Sequence, residues 1–335
     1  MGTHRMLDAL LLNGGPGTPP ETRREKHHVF SNVLSYMGVW VSLALVISVC
    51  MFVIINVANI GIDVISPKFL FTDPTGTFID GETGGILTPM IGTVLLTVMG
   101  TGLCLPFALS TAIYLRYYAK ENWYHRVITM AIDILSSIPT VVIGIAGLTI
   151  FTMPMLSFLS VSVIASDGSS MAYGKSFLIS AVAMAVMIMP FVTKSIDEAL
   201  KTVPEDMINA SLALGVTKWH TVLKIALRVA RPGIITGTIL GSGRIIGDTA
   251  IVWMLLGGTM EMTGAQPWYE PQNWISTLRN TGSTLTTYIY YSSPAGEGDR
   301  YDVAFGASLV LLVVIVVLNA LTALVGSGGK GQTQK

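Results

Sequence analysis

Six long apolar runs alternate with polar connections along the chain, approximately Tyr36–Ile60, Met90–Leu115, Val127–Phe151, Phe177–Ser195, Gly233–Gly257 and Val303–Val325. Each approaches or exceeds the ~20 residues that a helix needs to cross a hydrocarbon core of about 30 Å while satisfying its own backbone groups. The pattern predicts an all-α integral membrane protein with six transmembrane helices. The first run starts some 35 residues in and is longer than the ~7–15-residue apolar core of a signal peptide, so it is expected to remain in the mature protein.

Composition agrees: 51% of the 335 residues are hydrophobic and 12% charged, about half the charged fraction of an ordinary soluble domain. Formal net charge is zero, but its distribution is not neutral. With the N-terminus in the cytoplasm, the inner segments hold Arg5, Arg23, Arg24, Lys26, Arg116, Lys120, Arg126, Lys194, Lys201, Lys218, Lys224, Arg228, Arg231, Lys330 and Lys335. The outer segments keep Lys68, Lys175, Arg279 and Arg300 beside acids such as Asp63, Asp73, Asp80, Glu82 and Asp302. Positive charge on the inner side sets orientation, and an even number of spans returns the C-terminus there. The expected organisation is a cytoplasmic tail over 1–35, a six-helix domain over 36–325 and a cytoplasmic tail over 326–335.

Several chemistries find no support. Cys50 and Cys104 fall within apolar runs and read as small apolar fillers; adjacent His27 and His28 would not converge on a metal as i, i+4 ligands do. No phosphate-binding G-x-x-x-x-G-K-[ST] occurs, and Gly241-Ser-Gly243-Arg-Ile-Ile-Gly247 misses the dinucleotide spacing by one. Gly233, Gly237 and Gly241 instead form a small-xxx-small row suited to close helix packing. No cofactor and no nucleic-acid partner is expected on this chain, whose surroundings are membrane lipid.

One connection is unusually polar. Lys201 to Arg231, within a loop over 198–231, reads KTVPEDMINASLALGVTKWHTVLKIALRVAR. Pro204 suits a first helical turn, and Glu205 and Asp206 sit at the favourable end of the dipole. The helix would run to Leu214, Gly215 would end it in the left-handed conformation, and Thr217 to His220 would open a second. Here the chain resembles membrane-spanning subunits of ATP-binding-cassette importers, whose cytoplasmic loop reads E-A-A-x3-G-x9-I-x-L-P. Asn209, Ala210 and Ser211, then Gly215, Ile225 and Leu227 fall at matching spacings; Asn209 replaces the acid, Ser211 the second alanine and Arg228 the proline.

The runs SSIPTVVIGIAGLTIF (Ser136–Phe151), VPEDMINASLALGVTKWHTVLKIAL (Val203–Leu227) and GIITGTILGSGRIIGDTA (Gly233–Ala250) are similar to PstA-type permeases of bacterial phosphate importers, with Asp248 where that family typically has Glu. The resemblance implies a type I importer permease fold with a cytoplasmic coupling helix, in a bacterial inner or plasma membrane. It also implies a complex with a related PstC-like permease, two PstB-like ATPases that hold ATP and Mg, and a PstS-like phosphate-binding protein. ATP hydrolysis would then lie on another subunit. Asn209, Ala210, Ser211, Leu212, Leu214, Gly215 and Trp219 would meet the ATPase.

For the substrate, Arg244 stands out. A charge near mid-span costs at least about 2.5–3.5 kcal/mol on insertion scales and marks a functional site by default. Its guanidinium stays ionised and presents a fork of donors that fits phosphate. Asp248, one turn further on a continuous helix, is expected to hold Arg244 when the pathway is empty, making the pair either a gate or a packing bridge. Ser137, Pro139 and Thr140 could break the third span and expose backbone groups to the pathway; Thr193 and Thr249 are further candidate hydroxyls, and Asp133 reads as an interfacial or helix-packing residue. The outer stretch 258–302, with Trp268, Tyr269 and Trp274, fits membrane-interface anchoring or docking of a binding protein. Competing readings are a permease for sulfate or molybdate, an ion-driven secondary transporter, and a membrane-bound enzyme, for which no nucleophile–base or metal constellation is found.

Overall fold

The computed structural model describes residues 21–74, 84–119, 122–164, 170–259, 262–296, 298 and 300–328. The tail patch Met6–Leu12, the acids Asp80 and Glu82, Lys120 and the C-terminal Lys330 and Lys335 lie outside those residues. The chain divides into two units, 1–56 and 57–335, described separately. In the first, helix α1 (Glu21–Gly61) begins well before the apolar run and carries exposed apolar side chains from Tyr36 onward.

In the second unit α2 (Pro67–Phe71) is capped by Ser66, whose hydroxyl accepts from the Phe69 N–H. Next comes α3 (Leu87–Ile113), prolonged by a π-helical turn at Tyr114–Tyr118. Asn122 caps α4 (Trp123–Ser137), accepting from the His125 N–H at 3.2 Å, and α5 (Thr140–Phe151) follows. Between α5 and α6 (Phe177–Lys201) lies a small antiparallel pair, Ser162–Ile164 against Ser170–Ala172, the only strands among the described residues. Then come α7 (Glu205–Ala213), α8 (Lys218–Thr221), a π-helical turn at Val222–Ala226 and α9 (Leu227–Gly247). The chain closes with α10 (Ala250–Leu255), α11 (Trp274–Arg279), α12 (Leu285–Ser292) and α13 (Tyr301–Gly328).

Helix α6 is the hub. Phe177, Met184, Ile188, Val192, Ile196 and Leu200 repeat at helical spacing and are buried. Against it α3 presents Leu96, Gly100, Cys104, Ala108 and Ala112, a strict four-residue row of mostly small side chains that lets two backbones approach. The expected glycine row of α9 serves the same end from the other side. A Cβ on Gly233 would lie 2.7 Å from that of Ala199, one on Gly241 2.6 Å from Val192 Cγ2, and one on Gly237 would strike the Ser195 side chain. Apolar groups that face away from this core, such as Val94, Val98 and Phe107 on α3 and Val313, Val316 and Val317 on α13, are exposed, as suits contact with hydrocarbon rather than water.

Among the described residues four helices are long and apolar enough to cross a membrane: 36–61, 87–118, 177–201 and 301–324. The third expected span is a pair, α4 and α5, bent by 102° across Ile138-Pro139, so Pro139 does break it. Its ring leaves no N–H for an internal bond and sets the chain at the extended angles that start α5. The fifth expected span, Gly233–Gly257, is also not continuous: α9 ends at Gly247 and α10 restarts at Ala250.

Candidate functional site

The break between α4 and α5 opens a cleft of about 210 Å³ against α6 and α9. Its polar walls are Ser136 and Thr140 at the break, Lys194 on α6 and Arg244 near the end of α9; Pro190 and Phe191 supply an apolar side. The Arg244 guanidinium carbon sits 5.3 Å from the Phe191 ring centroid, a cation–π contact that holds the head at the cleft while leaving its N–H donors available. Pro190, inside α6, has no N–H to give and frees the backbone carbonyl of Val186 one turn earlier.

Asp248 departs from expectation. The helix ends before it, its backbone is extended (φ −80°, ψ 128°), and its carboxylate Oδ1 accepts the Ile251 N–H at 2.8 Å. The carboxylate thus serves the N-terminus of α10, with the Thr140 hydroxyl and the Ala250 N–H as neighbours. Arg244 and Asp248 form no ion pair, whereas Lys194 pairs with Asp133 and Lys201 with Asp197 and Glu198. The physical reason is local: α10 has orphan N–H groups to satisfy, and an aspartate just before a helix start is well placed to accept them. The Asp248 carbonyl in turn accepts the Thr286 hydroxyl at 3.2 Å, tying the break to α12.

Of the other expected lining residues, Thr140 lines the cleft and Ser137 does not; Ser137 bonds back to the Ile134 carbonyl at 2.7 Å, as its neighbour Ser136, which does line the wall, bonds back to the Asp133 carbonyl at 2.7 Å. Thr249 is the N-cap position of α10, its carbonyl accepting the Trp253 N–H at 2.8 Å. Lys194 and Phe191 were not singled out from the sequence. Asp133, read as an interfacial or helix-packing residue, meets Lys194 of α6 at 2.7 Å.

Beyond the C-terminal end of α6 stands the coupling corner. Gly215 has φ +77° with open space around it, the left-handed turn expected after α7. Asn209, Ala210, Leu212, Leu214 and Trp219 are exposed, Leu214 at 84% and Trp219 at 56%. Ser211 is not: it is buried, and its hydroxyl pairs with that of Thr221 at 2.9 Å. That residue therefore pins α7 to α8 instead of meeting a partner, a correction to its expected role. Since α8, the π turn and α9 run without a break from Lys218 to Gly247, the corner is joined rigidly to the helix that carries Arg244. Lys218 lies 5.3 Å over the Tyr118 ring, bracing α8 against the end of α3.

A family model described as binding-protein-dependent transport system inner membrane component matches residues 104–327, about two thirds of the chain. The chain belongs to that family. Its members' description makes it a membrane component of an importer, a multi-pass transport subunit. Among curated relatives, the probable ABC transporter permease protein YqgI of Bacillus subtilis is 28% identical over 81% of this chain and 85% of its own length. The phosphate transport system permease protein PstA 1 of Mycobacterium tuberculosis (strain H37Rv) is 27% identical over 72% of this chain and 70% of its own. A chain of a bacterial alginate ABC transporter, solved in complex with an alginate pentasaccharide-bound periplasmic protein, superposes with TM-score 0.55 at 15% identity, covering 91% of this chain and 96% of that one. That last likeness concerns the fold alone.

Proposed function

We propose that this subunit passes inorganic phosphate into the cytoplasm by alternating access, in a complex with a related permease, two ATPase subunits that hold ATP and Mg, and an extracytoplasmic phosphate-binding protein. The observation that carries the reading is the cleft beside Arg244, where a guanidinium and an ammonium line one small space between α4, α5, α6 and α9. A tetrahedral oxyanion offers acceptors all round and suits such a set of donors, with arginine able to engage two oxygens at once. The Mycobacterium tuberculosis relative, named for phosphate transport, supports the choice of anion.

The coupling corner supplies the drive in this scheme. Leu212, Leu214 and Trp219 offer apolar contact to the ATPase, Asn209 and Ala210 lie beside them, and Gly215 sets the angle. Closure of the ATPases on ATP displaces the corner, and the unbroken helix from Lys218 to Gly247 carries the displacement to Arg244. Asp248 adjoins the cleft without lining it, its carboxylate engaged by the Ile251 and Ala250 N–H groups and the Thr140 hydroxyl, which tempers its repulsion of an anion. The test is ATP-dependent uptake of labelled phosphate by the reconstituted complex with excess unlabelled sulfate or molybdate. Uptake that resists both supports phosphate; uptake abolished by sulfate assigns the pathway to another oxyanion.

A further inference from the structure

Lys194 lines two spaces at once. One is the cleft of Arg244; the other is a crevice of about 540 Å³ between the end of α3, α4 and the last turns of α6, on the side of the coupling corner. In this structure its Nζ is 2.7 Å from Asp133 Oδ1, with both side chains more than half exposed. An exposed pair of this kind is weak and readily exchanged.

The crevice carries further signs of an anion station. Arg116 lines it and makes no ion pair among the described residues. The acids on its wall, Asp197 and Glu198, share the single ammonium of Lys201, at 2.7 and 2.8 Å on the same helix, so the wall's three cations Arg116, Lys194 and Lys201 outnumber its two acids. Thr193, also on the wall, is 2% exposed, and its buried hydroxyl has no hydrogen-bond partner. A buried hydroxyl without a partner is costly and uncommon, so this wall holds a polar group that the chain itself does not satisfy.

Resting on the phosphate reading above, we propose that Lys194 is the second anion-binding cation of the pathway, exchanged from Asp133 to the phosphate as it moves from Arg244 toward the cytoplasmic crevice. Asp133 is then a competitor for the ammonium: it holds Lys194 while the pathway is empty and recaptures it to release the ion. A bridge that only stabilised packing would respond alike to loss of either partner. A competitor and a ligand respond in opposite directions.

The test is equilibrium binding of labelled inorganic phosphate to the purified permease–ATPase complex, paired with uptake in proteoliposomes, for wild type, Lys194→Gln, Asp133→Asn and the double variant. Loss of one charge-assisted contact weakens binding about tenfold, so Lys194→Gln is expected to lose about that much affinity and several-fold in uptake rate. Asp133→Asn is expected to bind several-fold tighter yet transport more slowly, and the double variant to follow Lys194→Gln. Binding that shifts in the same direction in both single variants, or in neither, overturns the proposal while leaving phosphate import intact. Wild-type complex that imports no phosphate overturns the underlying reading instead. Should Lys194→Gln fail to assemble, Asp133→Asn alone decides: tighter binding supports the exchange, and unchanged or weaker binding refutes it.

Discussion

The coupling corner and the Arg244 cleft are both polar interruptions of an apolar chain, built with opposite polarity. At the corner the apolar groups point outward, Leu214 and Trp219 most of all, while the hydroxyls of Ser211 and Thr221 are turned in and spent on each other. At the cleft apolar helices make the scaffold, and the charges of Arg244 and Lys194 are what the space receives. Exposed apolar surface in water calls for a protein partner; cations held within the span of apolar helices call for an anion or a counter-charge. In the proposed scheme the difference separates two tasks, energy input and substrate contact, onto two ends of one continuous helix.

That separation predicts mutants that fail differently. The largest effect is expected from Arg244→Ala: loss of two charge-assisted contacts lowers uptake by about a hundredfold, with the ATPase still copurifying. Leu214→Asp should do the reverse, cutting ATPase retention on an affinity column about tenfold while phosphate binding to the permease persists; intact retention would place the ATPase contact elsewhere. Gly215→Val forces a branched side chain into a left-handed backbone at about 1–2 kcal/mol, and limited proteolysis should find the corner opened. Smaller still is Ser211→Ala, about 1 kcal/mol through the lost bond to Thr221, visible as a modest drop in thermal midpoint without loss of ATPase binding. A Ser211→Ala protein that is stable but uncoupled would restore that residue to the partner surface.

The sequence carried the long helices, the corner and its glycine, because hydrophobic period and a left-handed turn are local signals. The Gly233, Gly237 and Gly241 row was equally legible, since a four-residue repeat of the smallest side chain already states that another backbone comes close. The break at Asp248 was missed, although Gly247-Asp248-Thr249 holds a residue type that ends helices followed by two that start them; the apolar run around it masked the signal. Ser211 was misplaced because an exposed loop motif says nothing of which face turns toward Thr221. Lys194 was counted only as an inner positive charge, since its pairing with Asp133 and its place on two cavity walls depend on a bend between α4 and α5 that brings distant segments together.

The most direct measurement is ATP-dependent uptake of labelled phosphate into proteoliposomes by wild type, Arg244→Lys and Arg244→Ala, with the amount of copurified ATPase recorded for each. The account predicts uptake that is robust in wild type, reduced with lysine, which keeps the charge but loses the fork of donors, and absent with alanine, at equal ATPase content throughout. Wild-type rates in Arg244→Ala would contradict it, since the cleft would then have no part in carrying the anion.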